Sequence, residues 1–439
     1  MGLSKKTKLI VSLALTISLT SVLTIGCNNG VSQSNNNKTQ EASNDSTLIY
    51  TQGIEQTTIY GKVKGSKENN EKTLLWQGIP YAKAPIGNLR WKAPEDPEIW
   101  NNVFDATTPG NVGIQLSGSD IIGSEDCLNL DIYRPNTDET NLPVLLFIHG
   151  GNNQTGTSSE IDARKLAVNA NCIVVSINYR LGALGFNSLP ALKTGDINED
   201  SGNYTLLDIA KSLDWINENI EAFGGNPNNI TASGFSAGGH DIMAMLISPI
   251  FEGKFQKAIA FSGGMTISDP EESAQIIAKA IAPLVIEDNV KETEEDAYNW
   301  LLTDDTEVKD YLYSLFLTDT VTGFGASYPE AFNNEGAKDL SNKFTKYISN
   351  FLWNDNPNGE DLVEWNSWTS SSDGPTQLLL DADLNKAIIT ISHEGTSYES
   401  ILNEIENDHS ITDEDKNTIV KEVLNGRWFS SRLDSYFNN

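Results

Sequence analysis

Hydrophobic positions in the first two thirds of the chain alternate between short continuous runs and one longer helical pattern. Residues 143–148 and 172–177 are nearly unbroken apolar runs, which is typical of strands buried on both faces. Residues 204–223 repeat apolar side chains at helical spacing, and a further apolar run follows at 257–264. Strands that alternate with helices predict an α/β fold, with a mostly parallel central sheet and helices on both faces.

The segment 231–239, TASGFSAGG, carries the strongest chemical signal. A short strand, a G-x-S-x-G turn and the start of an apolar helix together form the pattern of a nucleophile elbow. Such a turn is sharp and strained, so a side chain at Gly234 or Gly238 is expected to clash with the neighbouring strand or helix. The strain would hold the Ser236 hydroxyl at the head of a helix, where a developing negative charge is favoured.

Residues 149–153, HGGNN, follow the first apolar run as a glycine turn of the kind that supplies oxyanion-hole amides in esterases. With the elbow and a series of further blocks, this turn resembles the type B carboxylesterases, the family of the cholinesterases and the bacterial p-nitrobenzyl-type esterases. The resemblance implies an α/β-hydrolase fold. The blocks lie in family order over roughly residues 50–265: QGIPYA (77–82), PIGNLRW (85–91), SEDCLNL (124–130), NYRLG (178–182), GGNPNNIT (224–231) and FSGG (261–264).

The same resemblance implies the roles of individual residues. Ser236 is expected to be the nucleophile, and the backbone amides of Gly151, Asn152 and Ala237 are expected to form the oxyanion hole. Asn152 replaces the third glycine of the family's turn; it keeps an amide to donate, and asparagine best tolerates positive φ after glycine. Phe235 stands where the family usually has Glu.

The second half of the family pattern is not found after the nucleophile. No acid-bearing loop of the family type occurs between residues 265 and 340, and the nearest match to the histidine block, 325–332, has Tyr328 where the imidazole should be. Resemblance resumes over residues 340–351 and 355–359, like the family's carboxyl-terminal helix and the turn after it. The simplest interpretation is a deletion of the acid loop and its flanking strand, together with loss of the histidine.

The four histidines leave the general base open. His149 lies in the oxyanion turn and is interpreted as structural. His240 lies one turn beyond the nucleophile on the same helix, pointing along the helix rather than across the serine. His393 follows a predicted strand at 386–392, which gives it a strand-end position beyond the family's own histidine block. His409 is interpreted as a solvated cap residue before a charged helix.

The amino terminus has the order of a secretory signal. Lysines at positions 5, 6 and 8 precede an apolar stretch at 9–25, and LTIGC at 23–27 resembles the lipobox of bacterial lipoproteins. Residues 1–27 are therefore predicted to be a signal peptide, with Cys27 as a lipidated anchor in the bilayer. The alternative is a lone anchor helix, for which the stretch is slightly short. Asn28 is not a retention aspartate, so the expected place is the cell envelope, at the outer membrane in a Gram-negative source.

Composition suggests an exported globular domain. Residues 28–47 are predicted to be a flexible tether, and residues 48–439 one α/β-hydrolase domain with a reduced helical cap at about 270–320. The formal net charge of −30 disfavours nucleic acid as a partner, and no motif calls for a cofactor or a metal. Cys127 and Cys172 are expected to be isolated thiols, although one disulfide between them is arithmetically possible.

Two functions of different class follow from these observations. The first is an envelope-anchored carboxylic ester hydrolase that acts on small-molecule esters through Ser236, with a weak or displaced base. The second is a degenerate member of the fold that binds a ligand or partner without turnover. The intact elbow and oxyanion turn favour the first, and the missing acid and histidine favour the second. The sequence leaves the acyl and alcohol preference and the oligomeric state open.

Overall fold

The computed structural model describes residues 48–315 without 69, 71, 118, 119, 265 and 266, and then residues 335–367, 377–382, 385–392 and 412. Residues Leu48–Ser392 form one compact unit. The predictions that lie outside the described residues concern the signal segment 1–27 with Cys27, the tether 28–47, Tyr328, His393 and His409.

Short strands are spread along the described chain, and a central sheet is built from half of them. In chain order they are β1 (Glu55–Thr58), β2 (Gly61–Lys64), β3 (Ser66–Glu68), β4 (Thr73–Pro80), β5 (Phe104–Asp105), β6 (Gln115–Ser117), β7 (Asp120–Ile122), β8 (Asn129–Pro135), β9 (Leu142–Ile148), β10 (Ile173–Ile177), β11 (Gly225–Phe235), β12 (Lys257–Phe261), β13 (Gln377–Ala382) and β14 (Ala387–Ser392). The order in the central sheet is β12-β11-β9-β10-β8-β4-β3, and β1-β2-β5, β6-β7 and β13-β14 form small separate sheets.

Helices lie between the strands and after them. They are α1 (Ala163–Ala170), α2 (Gly182–Gly185), α3 (Tyr204–Asn219), α4 (Ala237–Met245), α5 (Pro270–Glu287), α6 (Glu294–Leu301), α7 (Thr306–Ser314) and α8 (Glu335–Asn354). Single 3₁₀ turns occur at Gly87–Leu89, Pro190–Leu192, Glu199–Ser201, Ile220–Phe223 and Pro249–Phe251. Within the described ranges, no helix is long and apolar enough to cross a membrane.

The central sheet is mixed rather than mostly parallel. Strands β10, β9, β11 and β12 pair in parallel, whereas β8, β4 and β3 add antiparallel pairs at one side. The connection between β8 and β9 spans only residues 136–141, which is too short for the crossover that parallel strands require. The parallel half carries the elbow, because β11 lies between β9 and β12.

Side chains of β9 alternate between the two faces of the sheet. Val144, Leu146 and Ile148 join the large apolar cluster that includes the buried side of α3. Leu145 joins a second cluster that includes α1 and Leu352 of α8. Helices therefore cover both faces of the sheet, as the sequence predicted.

Three helices, α5, α6 and α7, occupy most of residues 270–314, as predicted for the described part of this segment. Helix α5 begins after Asp269, whose carboxylate accepts hydrogen bonds from the amides of Glu271 and Glu272, and α6 begins after Thr293, whose hydroxyl also caps its helix. Apolar faces of α5, α6 and α7 pack with Trp91 in a separate cluster. The position of these helices as a cap over a cleft stays a prediction.

Cys127 and Cys172 are buried free thiols, as predicted. Burial raises the pKa of both thiols, that of Cys172 to about 12. Both are therefore protonated near neutral pH, and packing rather than a disulfide stabilises this part of the fold.

Candidate active site

Ser236 lies between β11 and α4 in a backbone conformation that residues with side chains rarely adopt. Its φ is 54° and its ψ is −114°, and such a conformation costs on the order of 1–3 kcal/mol. Two backbone hydrogen bonds fix the residue: its amide donates to the Phe261 carbonyl at 2.8 Å, and the His240 amide donates to its carbonyl at 3.0 Å. Strain held in this way clusters at functional sites, which supports the interpretation of this turn as a nucleophile elbow.

Gly234 and Gly238 allow the chain to turn sharply at the serine. A Cβ at Gly234 would lie 2.2 Å from the Gly238 carbonyl oxygen, and a Cβ at Gly238 would lie 2.2 Å from the Ile148 carbonyl oxygen. Both contacts are with backbone of packed elements, so neither can be relieved by a side-chain rotation. The predicted clashes with the helix and the neighbouring strand are confirmed.

The predicted oxyanion turn, residues 150–153, follows β9 and packs against Ser236. A Cβ at Gly150 would lie 2.9 Å from the Phe235 carbonyl oxygen and 3.2 Å from the Ser236 Cβ, so glycine lets the turn pack this closely. Gly151 has a φ of 96° and Asn152 a φ of 58°. Asparagine thus adopts the left-handed conformation that its place in the turn led us to expect.

The backbone amides predicted to bind an oxyanion lie in this turn and at the start of α4. Among the described residues, none accepts a hydrogen bond from the amide of Gly151 or Asn152. Ala237 begins α4 directly after Ser236, at the end of a helix where amides lack intrahelical partners and the dipole is positive. Donors of this kind beside a serine suit a developing negative oxygen.

His149 is buried behind the turn. Its ring stacks on Tyr179 with a centroid distance of 4.2 Å, and its Nδ1–H donates to the Gly150 carbonyl at 2.9 Å. Burial lowers the pKa of His149 to about 4, so the ring is neutral at pH 7. These contacts fit the structural role expected for this histidine.

His240 contacts the main chain of Ser236. Its Nδ1 lies 2.9 Å from the Ser236 carbonyl oxygen. Because a carbonyl only accepts, Nδ1 carries a proton in this bond. The bond runs from one helical turn to the previous one, so the ring points along α4, as predicted from the helical spacing.

Phe235 occupies the position where the resemblance leads one to expect Glu, and its side chain is 45% exposed. With Leu145, Phe147, Ile259 and Ile348 it lines an apolar cavity of about 250 Å³ on the α1 and α8 side of the sheet. The residue directly before Ser236 therefore contributes an apolar side chain where a carboxylate is usual.

A buried polar network lies behind the oxyanion turn and was not predicted from the sequence. Asp241 of α4 accepts a hydrogen bond from Asn153 Nδ2 at 3.1 Å. The Tyr179 hydroxyl donates to the His149 carbonyl at 2.7 Å. It also lies 3.3 Å from the Asn153 side-chain oxygen. The available signal was an aspartate within an apolar helix, directly after His240.

In the described part of the chain, no group of His, Cys, Asp or Glu side chains has the arrangement of a metal site.

A strained serine at the end of a parallel strand, a helix beginning beside it and a glycine turn against it define the class of α/β-hydrolases. A family model described as the carboxylesterase family matches residues 52–308. The chain belongs to the carboxylesterase family, and the resemblance seen in the sequence is confirmed.

Individual relatives agree with this membership. The chain is 46% identical to the para-nitrobenzyl esterase of Bacillus subtilis (strain 168) over 242 residues, covering 52% of this chain and 48% of the relative. It is 39% identical to the cocaine esterase of Homo sapiens over 260 residues, covering 54% of this chain and 45% of the relative. A solved PNB esterase structure matches with a TM-score of 0.50 and 40% identity, covering 64% of this chain and 58% of that one.

The chain spans about half the length of the curated relatives that it matches. The family model ends at residue 308, close to where the family's acid and histidine blocks could no longer be found in the sequence. The shared part thus contains the elbow and the oxyanion turn.

Proposed function

We propose that this chain is a serine-dependent carboxylic ester hydrolase that forms an acyl-enzyme on Ser236. The observation that carries the proposal is the strained serine, with a φ of 54° at the head of α4 and the oxyanion turn packed against it. Such strain lowers the stability of the fold, and a protein that only binds a ligand has no use for it. Membership of the carboxylesterase family supports the same reaction class.

In the proposed reaction, the Ser236 hydroxyl attacks the carbonyl carbon of an ester while a base takes its proton. The carbonyl oxygen becomes an oxyanion, which the amides of Gly151, Asn152 and Ala237 and the amino end of α4 stabilise. The alcohol leaves with a proton. Water then attacks the acyl-serine, releases the carboxylic acid and restores the hydroxyl.

The base is the open element of this mechanism. His149 is unsuited to the role, because it is buried and its Nδ1–H is bonded to the Gly150 carbonyl. His240, through Nε2, and His393, outside the described residues, are the two candidates. A serine hydrolase without a complete triad keeps roughly 10³–10⁴-fold acceleration over water from its oxyanion hole and binding. We therefore expect slow turnover of activated esters.

The test compares the full chain with Ser236→Ala and with Ser233→Ala. Ser233 is a matched control, because it is a buried serine of the same strand whose hydroxyl donates to the Leu146 carbonyl at 2.8 Å. Hydrolysis of p-nitrophenyl acetate and labelling by a fluorophosphonate are measured for each. We expect both signals in the wild type and in Ser233→Ala, and neither in Ser236→Ala.

The remaining outcomes separate the two functions. Labelling without turnover would show a nucleophile whose acyl-enzyme is not hydrolysed. Absence of both signals in a folded wild-type protein would refute the proposal and leave a protein that binds a ligand or partner on a carboxylesterase scaffold. Turnover that disappears in His240→Gln or His393→Gln would identify the base.

We also propose that Cys27 is lipidated after removal of residues 1–26, so that the enzyme is exported and anchored to the cell envelope. The support is the order of a basic start, an apolar stretch at 9–25 and the LTIGC block at 23–27. Metabolic labelling with a palmitate analogue in a bacterial host should mark the wild type and not Cys27→Ser. Equal labelling of both would exclude this anchor.

A further inference from the structure

Asp241 is a buried carboxyl that the proposed mechanism does not use. It lies five residues after Ser236 in α4, and only 4% of its surface is exposed. Its Oδ1 accepts one hydrogen bond, from Asn153 Nδ2 at 3.1 Å. Its Oδ2 is buried, and no described residue forms a hydrogen bond with it. A carboxylate with a single neutral donor is poorly stabilised away from water.

The partner of this carboxyl belongs to the oxyanion turn. Asn153 has a φ of 54°, and its carbonyl accepts a hydrogen bond from the Gly182 amide at 2.7 Å. Asn153 directly follows Asn152, whose amide is a proposed oxyanion donor. Asp241 on α4 and Gly182 on α2 therefore bond the same residue of the turn, one through its side chain and the other through its backbone.

Tyr179, His149 and Glu160 are ionisable side chains around this network, and the Glu160 carboxylate accepts a hydrogen bond from the Gly150 amide of the turn at 2.8 Å. Burial raises the pKa of the Tyr179 hydroxyl well above its ordinary value and lowers that of His149 to about 4. Burial also raises the pKa of Asp241 to about 7. His240, the next residue along α4, bonds the Ser236 carbonyl instead. Asp241 is thus placed to change charge close to neutral pH, whereas Tyr179 and His149 stay neutral there.

We infer that Asp241 is a positioning residue, which holds the oxyanion turn against Ser236 through the Asn153 side chain and acts best as a neutral acid. An ionised Asp241 would place a negative charge behind amides whose role is to bind a negative oxygen. The effect on catalysis rests on the proposed hydrolysis at Ser236, whereas the effect on the turn's position does not.

The test follows the rate of fluorophosphonate labelling from pH 5.5 to 8.5 in the wild type, Asp241→Asn and Asp241→Leu. Asparagine keeps an oxygen for Asn153 and cannot ionise. We expect the ratio of the Asp241→Asn labelling rate to the wild-type rate to rise by on the order of tenfold between pH 6 and pH 8.5. A unit charge roughly 10 Å away at an effective dielectric constant near 20 has about this effect. Leucine removes the acceptor, so labelling should fall about tenfold or more at every pH.

Two controls separate positioning from a loss of structure. Asp131→Asn is the same change at another buried carboxyl, which bonds the Gly78 amide and the Ser158 hydroxyl; its rate ratio should not vary with pH. Asn153→Ala added to Asp241→Leu should cost clearly less than the sum of the two single losses, because both changes break the Asp241–Asn153 bond, although Asn153→Ala also removes the contact with the Tyr179 hydroxyl. In a protein that carries His240→Gln, Asp241→Asn should change the labelling rate with pH in the same way as it does without that change.

Specific results would overturn the inference. If the ratio of the Asp241→Asn to the wild-type labelling rate did not change with pH, the neutral-acid role would be excluded. If the losses of Asp241→Leu and Asn153→Ala simply added in the double variant, action through the turn would be excluded. If the wild type is not labelled at all, the proposed function fails, and crystals of Asp241→Asn and Asp241→Leu then decide. A turn whose Asn152 and Asn153 keep their positions in Asp241→Leu would contradict the inference on its own.

Discussion

Arg180 and Asp208 face each other as a two-pronged ion pair inside the protein. Arg180 Nε lies 2.8 Å from Asp208 Oδ2, and Nη2 lies 2.6 Å from Oδ1. Their side chains are 1% and 0% exposed. The Arg180 amide also donates to Asp208 at 3.1 Å, so α3 is tied to the chain that follows β10.

Replacing Asp208 with alanine should destabilise the fold strongly, because it leaves a buried guanidinium without its counter-charge. We expect a loss of about 3–5 kcal/mol in the free energy of unfolding, measured by urea titration. Asp96→Ala is the matched control, since Asp96 pairs with Lys211 but its side chain is 68% exposed. The control should cost less than about 1 kcal/mol. If Asp208→Ala and Asp96→Ala lost the same free energy of unfolding, burial would not explain the effect at Asp208.

Lys257 fastens the end of α8 to strand β12. Its Nζ donates to the Leu352 carbonyl at 2.8 Å and to the Phe351 carbonyl at 3.3 Å, near the helix end where carbonyls lack intrahelical partners. Lys257→Met should cost about 1–3 kcal/mol and speed hydrogen exchange in the last turn of α8. Lys343→Met, which removes a partly exposed pair with Asp339 within α8, should leave that turn unchanged. Slow exchange retained in Lys257→Met would refute this role.

The parallel half of the sheet was predictable, whereas the antiparallel half was not. Strands β9 and β10 are apolar along their whole length, so hydropathy alone marks them. Strand β8 is equally buried but contains Asp131 and Arg134, whose polar atoms bond distant backbone groups. Those partners come together only in the fold, and hydropathy therefore does not reveal such a strand.

The same distinction applies to the candidate site. The elbow could be predicted because its geometry is local: Gly234, Ser236 and Gly238 constrain one turn of backbone. The contact between Asp241 and Asn153 could not, because these residues are 88 positions apart and meet only once β9 and β11 pair. Position-by-position resemblance also gave no reason to single out Asp241.

The neutral, buried His149 should make stability depend on pH. Its pKa is lowered to about 4 in the fold from about 6.5 in an unfolded chain, so the unfolded state binds the extra proton first. Stability from this group is present above pH 6.5 and falls as the pH drops toward 4. Between pH 6.5 and pH 5 the loss should be about 2 kcal/mol.

His149→Gln should lack this contribution, which urea titrations of both proteins at pH 5 and pH 7 can measure. The difference between the two proteins is the useful quantity, because Asp241 acts in the opposite direction. The raised pKa of the Asp241 carboxyl makes the folded state bind the proton first. This group therefore stabilises the fold at low pH, and that stabilisation is lost as the pH rises toward 7. The same pH dependence in both proteins would show that His149 is not the cause.

Asn152 should tolerate glycine and resist a β-branched residue, because its φ is 58°. Asn152→Gly should leave stability within about 0.5 kcal/mol, whereas Asn152→Val should cost on the order of 1–2 kcal/mol and slow fluorophosphonate labelling as the turn shifts. Asn171→Val is the matched control, because Asn171 has a φ of 50° at the end of α1, away from the oxyanion turn. That control should lose similar stability and keep its labelling rate. If Asn171→Val slowed labelling as much as Asn152→Val does, strain anywhere in the fold would explain the effect, and the amide of Asn152 would lose its proposed role in the oxyanion hole.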